Sequence, residues 1–263
     1  MENNQSSNPI RPEVMEKIQH FRLLDDEFLN ACCNDNIECT QLILRTILRK
    51  PDLEVTSART QVTLKNLHGR SLRLDVVSKD STGTFQNIEV QRASKGANPR
   101  RARYHGGLLD ANVVEPGKDF EKIPETFIVF VTEEDFFKAG LPVYEVEKKL
   151  KGTDISYDDG MHVVYVNGDY KGQDMIGDLM HDFSCSNPDD MIFQTLADRA
   201  RYFKRDKGGI RQMSEIMENW ISEEKEKIVL NMLEMKKLTY EEIAKGVGVP
   251  LDKVRELAGE KTA

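Results

Sequence analysis

Leu72-Arg73-Leu74-Asp75-Val76-Val77-Ser78 and Phe85-Gln86-Asn87-Ile88-Glu89-Val90-Gln91 are the two stretches that decide the fold. Apolar and polar residues alternate in the first, and Phe85, Ile88 and Val90 give the second its apolar positions, which is the pattern of half-buried strands. Between them, Asp80-Ser81-Thr82-Gly83 is turn chemistry, so residues 71–79 and 84–91 read as neighbouring strands. Residues 54–67, rich in Val and Thr and closed by His68-Gly69, complete a three-stranded meander. Downstream, residues 98–114 read as a helix. Residues 126–132 (TFIVFVT) and 162–167 (HVVYVN) are continuous apolar runs suited to buried strands. Residues 14–50 carry helical stripes that end at Pro51, and everything after Asp174 is helical in pattern. The expected class is α/β, a central sheet with a crossover helix, followed by an α-helical C-terminal region.

The chain has 263 residues, enough to bury a sizeable core without disulfides. Its four cysteines (Cys32, Cys33, Cys39, Cys185) form no CxxC pair and read as reduced structural thiols. No 18-residue apolar run and no secretory signal pattern are present, so a cytoplasmic protein without a membrane partner is expected. Gly106-Gly107 and Gly208-Gly209 lack a phosphate-loop Lys-Ser/Thr, which excludes a nucleotide cofactor by that route. With 37 Lys and Arg against 45 Asp and Glu, the net charge of −8 argues at first against a nucleic-acid partner. The distribution reverses that inference. Residues 41–110 hold 13 bases and 6 acids, a net +7, which leaves −15 for the rest of the chain.

Asp75 and Glu89 sit inside apolar strands, where an unpaired carboxylate is costly to desolvate. Converging across a hairpin, the two would make an oxygen-rich site for Mg²⁺ or Mn²⁺. Such an ion polarises a phosphodiester and acidifies a bound water. Gln91 lies two residues beyond Glu89, on the same strand face, where it would orient water or phosphate by hydrogen bonding. The plainer alternative is that both acids face solvent on an edge strand.

Asp75 followed fourteen residues later by Glu89-Val90-Gln91 resembles the PD-(D/E)XK nuclease motif. More specifically, it is similar to the branch called PD-(D/E)XK nuclease family transposases, or recombination-promoting nucleases. In that branch an LDV-type strand precedes an IE(I/V)Q strand and a helix matched here by Arg100-Arg101-Ala102-Arg103-Tyr104. The similarity extends over about residues 23–235, including His181-Asp182-Phe183 and Tyr202-Phe203-Lys204. It implies a restriction-endonuclease-like core, a mixed central sheet flanked by helices, and a metal-dependent DNA endonuclease associated with transposition or recombination. The metal ligands would be Asp75, Glu89 and the Val90 carbonyl, with Asp26 or Glu27 of the first helical segment as a possible extra acid. Gln91 stands where the wider superfamily has Lys, so it can orient but cannot carry a proton or a charge. Arg92, Lys95, Arg100, Arg101 and Arg103 would contact phosphates flanking the scissile bond. Tyr104 would bind a phosphate or a catalytic water, or else be an amphipathic core tyrosine. His105 reads as a supporting residue or a general base. Gln in place of Lys also admits a second reading, a weakly active or inactive DNA-binding protein that keeps the nuclease fold.

The organisation expected is a disordered lead-in (1–13), the nuclease-like core (14–170), a helical extension packed on it (171–235) and a tail (236–263). In the tail, Ala244, Gly248 and Val254 have the spacing of a helix-turn-helix. Its second helix nets zero charge, which suits a structural role or a homo-oligomer contact better than DNA docking.

Overall fold

The computed structural model describes residues 10–66, 69–92, 94–114, 117 and 119–259, apart from the side chains of residues 94 and 95. Most of the expected lead-in and His68 of the expected first turn lie outside these residues. Helix α1 (Pro12–His20) already begins inside the expected lead-in. The chain divides into two compact units, Glu16–Ile210 and a second made of Arg211–Ala263 with Met1–Met15.

The first unit is built on one six-stranded mixed sheet. Its strands are β1 (Val55–Leu64), β2 (Leu72–Asp80), β3 (Phe85–Gln91), β4 (Thr126–Thr132), β5 (Val143–Glu145) and β6 (Met161–Asn167), in the order β1-β2-β3-β4-β6-β5. β1, β2 and β3 form the antiparallel meander, β3, β4 and β6 are parallel, and β5 pairs antiparallel with β6. The turn between β2 and β3 is held from within. Asp80 Oδ1 accepts from the backbone N–H groups of Thr82 and Thr84, each at 3.0 Å, and Gly83 takes φ +92°. Only glycine adopts that conformation without strain. Every residue of β4 is buried, as a central strand with helices on both faces requires.

Helix α4 (Pro99–Val113) makes the crossover from β3 to β4. Ala102, Leu108 and Leu109 of that helix pack with Ile128, Phe130 and Tyr165 of the sheet. Helices α2 (Asp26–Cys33) and α3 (Ile37–Leu48) contact β1, and α5 (Met175–Ser184) and α6 (Gln194–Arg205) pack against α3. Thus the helical stretch expected over residues 14–50 is three helices. Two polar side chains account for the breaks. Asp25 accepts from Arg22 N at 2.8 Å ahead of α2, and Asn36 caps α3 by accepting from Cys39 N at 2.9 Å.

Helix α7 (Lys207–Met235) crosses into the second unit, so the expected 171–235 extension is not one body with a single allegiance. Within that unit, α8 (Tyr240–Val247) and α9 (Leu251–Leu257) bury Ile243, Ala244 and Val254 with Val229 of α7. Thr239 and Glu242 form a reciprocal capping box, and Gly248 ends α8 at φ +68°. Among the described residues, no helix is long and apolar enough to cross a membrane.

Candidate active site

β2 and β3 pair as an antiparallel ladder from Lys79 and Phe85 to Val76 and Ile88. Beyond Val76 and Ile88 the ladder stops, and the side chains of Asp75 and Glu89 take over from backbone. Asp75 N donates to Glu89 Oε1 at 3.1 Å, and Val90 N donates to Asp75 Oδ2 at 3.3 Å. The strands part here, with each carboxylate satisfying an N–H that the ladder no longer pairs. Val90 is itself buried beside the pair, and its N–H is what reaches Asp75. Glu89 is fully buried and Asp75 is half-buried.

Burial pushes both carboxyls up. For Asp75 the neighbouring Glu89 charge adds to the rise, and Asp26 adds after it. For Glu89 the rise is opposed by the N–H of Asp75 and the charge of Arg101. Asp26 is in the first turn of α2, so of the two acids open in the sequence it is the one whose charge Asp75 feels. Glu27 shares a hydrogen bond with Asp26, and burial lifts its carboxyl to about 8.

The parallel register with β4 puts Glu89 beside Phe130 and Gln91 beside Thr132, on the face that α4 covers. Asn98 caps α4 by accepting from Arg101 N at 3.0 Å, and Pro99 opens its first turn. That cap sets Arg101 over the strand. Its Nη2 donates to Glu89 Oε2 at 3.0 Å, and its Nη1 donates to Gln91 Oε1 at 3.0 Å and to Gly96 O at 3.2 Å. Its Nε donates to His105 Nε2, one helical turn on, at 3.1 Å. His105 is fully buried, and its burial, with Arg101 and Arg70, lowers it to about 4. The imidazole is therefore neutral. Its Nε2 accepts from Arg101, and its Nδ1 lies 3.3 Å from Asn87 Nδ2 and 3.8 Å from Glu89 Oε1.

The basic residues expected to meet phosphate separate into three groups. Arg101 belongs to the carboxylate site. Arg92 is engaged by acids, donating to Asp25 Oδ1 at 3.0 Å and Glu133 Oε2 at 3.3 Å. Arg100 and Arg103 are exposed on α4, with no ion pair among the described residues. The Lys95 side chain lies outside the described residues. Tyr104 is exposed on α4 and not a core residue. Its hydroxyl donates to Arg70 O and accepts from Asn66 Nδ2 at 2.9 Å, tying α4 to the end of the β1–β2 hairpin.

Gly96 is a site residue with no signal in a strand or helix pattern. A Cβ there would stand 1.7 Å from Gln91 Oε1, so only glycine lets that amide reach Arg101. In the second unit, Lys253 of α9 pairs with Glu226 at 3.0 Å and with Glu256 at 3.4 Å, and Arg255 pairs with Asp252 at 3.9 Å. Both cations of that helix are thus already matched.

Among the described residues, no group of three or more His, Cys, Asp and Glu is arranged to hold a metal ion. Two carboxylates and a carbonyl remain the donor set. That suits an ion of the Mg²⁺ kind, which binds through one or two carboxylates and keeps several waters. Comparison with models of known families, with curated proteins and with solved structures returned no match to this chain.

Proposed function

We propose that this protein is a Mg²⁺- or Mn²⁺-dependent DNA endonuclease with a restriction-endonuclease-like core of the PD-(D/E)XK type. One observation carries the reading. Asp75 and Glu89 meet where the β2–β3 ladder ends, each accepting from an N–H of the other strand. Burial raises both carboxyls, and at Asp75 the charges of Glu89 and Asp26 add to it, an electrostatic debt that a divalent cation relieves. Asp75, Glu89 and the Val90 carbonyl would hold the ion, with Asp26 near enough to add negative charge. When bound, the ion supplies Lewis-acid polarisation of the phosphodiester and a water acidic enough to attack near neutral pH. Arg100 and Arg103, exposed on α4 and without an ion pair among the described residues, would hold the DNA backbone. Gln91 orients by hydrogen bonding and transfers no proton.

The second reading, a DNA-binding protein without cleavage, draws support from Arg101. Its guanidinium already neutralises Glu89, which lets the buried carboxylate persist without a metal.

Nicking of supercoiled plasmid in Mg²⁺ or Mn²⁺ separates the two. The endonuclease reading expects metal-dependent nicking by the wild type, lost with EDTA and lowered at least about 100-fold in both Asp75→Ala and Glu89→Ala. Equal nicking by all three proteins would sink it. Salt-sensitive DNA binding without any nicking favours the second reading.

A further inference from the structure

We infer that Arg101 of α4 is the positive group of this site, filling from the helix the role for which Gln91 has no charge, and that Gln91 positions it. The inference rests on the endonuclease reading above.

Gln91 Oε1 accepts from Arg101 Nη1 at 3.0 Å, which ties this amide to the guanidinium. The same Nη1 also reaches Gly96 O, Nη2 reaches Glu89 Oε2, and Nε reaches His105 Nε2. A guanidinium has five N–H groups in a rigid fork, and four of these are now assigned. The fifth, on Nη2, has no partner among the described residues. The Arg101 side chain is 34% exposed, whereas Glu89 beneath it is at 0%. So a permanently charged, partly exposed group, held by four bonds and with one N–H unassigned among the described residues, is bonded to the buried carboxylate. That is how a phosphate oxygen would be received beside a metal held by Asp75 and Glu89.

The surrounding residues fit this role. His105 is neutral and accepts, so it adds no competing charge. Asn98 fixes the first turn of α4, and Gly96 leaves room for the Gln91 amide. A donor held in place before reaction needs no reorganisation as charge builds on the phosphoryl oxygens. Lysine in a strand position would bring the same charge from below. Here it comes from above, by way of the crossover helix.

The test is the initial rate of plasmid nicking in Mg²⁺ by wild type, Arg101→Gln and the double variant Arg101→Gln/Gln91→Lys, with DNA affinity measured in parallel by fluorescence anisotropy. Arg101→Gln should lower the rate about 100-fold or more, with DNA affinity changed less than about threefold. Returning a cation through Gln91→Lys should regain at least about tenfold, a rescue that a purely structural arginine would not show. The double variant also keeps a cation near Glu89. If Arg101→Gln alone does not fold, the folded double variant is therefore compared directly with the wild type. Nicking by that variant supports the assignment, and its failure to nick overturns it. A wild-type rate in Arg101→Gln overturns the Arg101 role and leaves the endonuclease reading standing. A wild type that never nicks overturns both.

Discussion

Glu89 has no exposed surface and survives there because each carboxylate oxygen has a donor, Asp75 N on Oε1 and Arg101 Nη2 on Oε2. The glycines nearby test how tightly this corner is built. At Gly96 an added methyl meets the end of the flexible Gln91 side chain, so Gly96→Ala should displace that amide from Arg101 and cost less than about 1 kcal/mol in urea unfolding. Gly107, in the same region on α4, has nothing within 4 Å of an added Cβ. There Gly107→Ala should stabilise by up to about 1 kcal/mol, because helix interiors disfavour glycine. Equal effects at the two positions would contradict the packing described. A second buried charge, the Lys204 ammonium, donates to the carbonyls of Gln19, Phe21 and Ser186. Burial lowers it to about 8. Lys204→Met strands three acceptors and should cost about 2–3 kcal/mol in the same assay. At this scale the sequence was readable where period 2 applies. Asp75, Glu89 and Gln91 stand out as polar residues within apolar strands. Arg101 was expected at phosphate, and its bonds to Glu89 and Gln91 were not foreseen, because the Asn98 cap at its backbone N–H is what starts the helix there. Its partner His105 follows four residues later on the same helix face, a spacing that was present in the sequence but carried no chemistry on its own.

Among the elements, α4 has two functions. Its buried side completes the site with Arg101 and His105, and its open side carries Arg100 and Arg103. If these two meet the DNA backbone, replacing both by Ala should reduce the slope of log K against log salt by about 1.8, near 0.9 per lost contact. Replacing Lys253 and Arg255 of α9 should leave the slope unchanged, since both are matched within their own unit. Anisotropy titrations at several salt concentrations measure both. A larger effect from the α9 pair would move the DNA contact to the tail. The strands β2, β3, β4 and β6 were legible from alternation or from unbroken apolar runs. Strand β5 was not, since three residues at a sheet edge leave too short a pattern. The breaks within residues 14–50 escaped for another reason. Phe21, Leu23 and Leu24 carry the apolar pattern through the first break, and at the second only Asn34-Asp35-Asn36 interrupts it, with the hydrogen bonds of Asp25 and Asn36 at the helix starts.

Over the whole chain, net charge concealed its own arrangement. The −8 total contains a segment of +7, and within that segment lie Asp75 and Glu89, crowded by Asp26. This crowding sets a pH dependence. Glu27 has a folded pKa of about 8 against an ordinary 4.5, and Asp75 and Glu89 are also raised. Below about 4.5, folded and unfolded chains both keep the proton, and nothing is lost. Between about 4.5 and 8 the fold retains protons that the unfolded chain releases, so these groups make stability fall as pH rises. Thermal unfolding from pH 5 to pH 8 should show that decline, and Mg²⁺ should raise Tm more at pH 8 than at pH 5. A Mg²⁺ effect that is larger at pH 5 would contradict the placement of these acids around one cation. The most direct measurement is calorimetric titration of Mn²⁺ into the wild type and into Glu89→Gln, which keeps the shape and removes the charge. The account predicts saturable binding in the wild type that disappears in Glu89→Gln. Identical binding by both proteins, or none by the wild type, would contradict it.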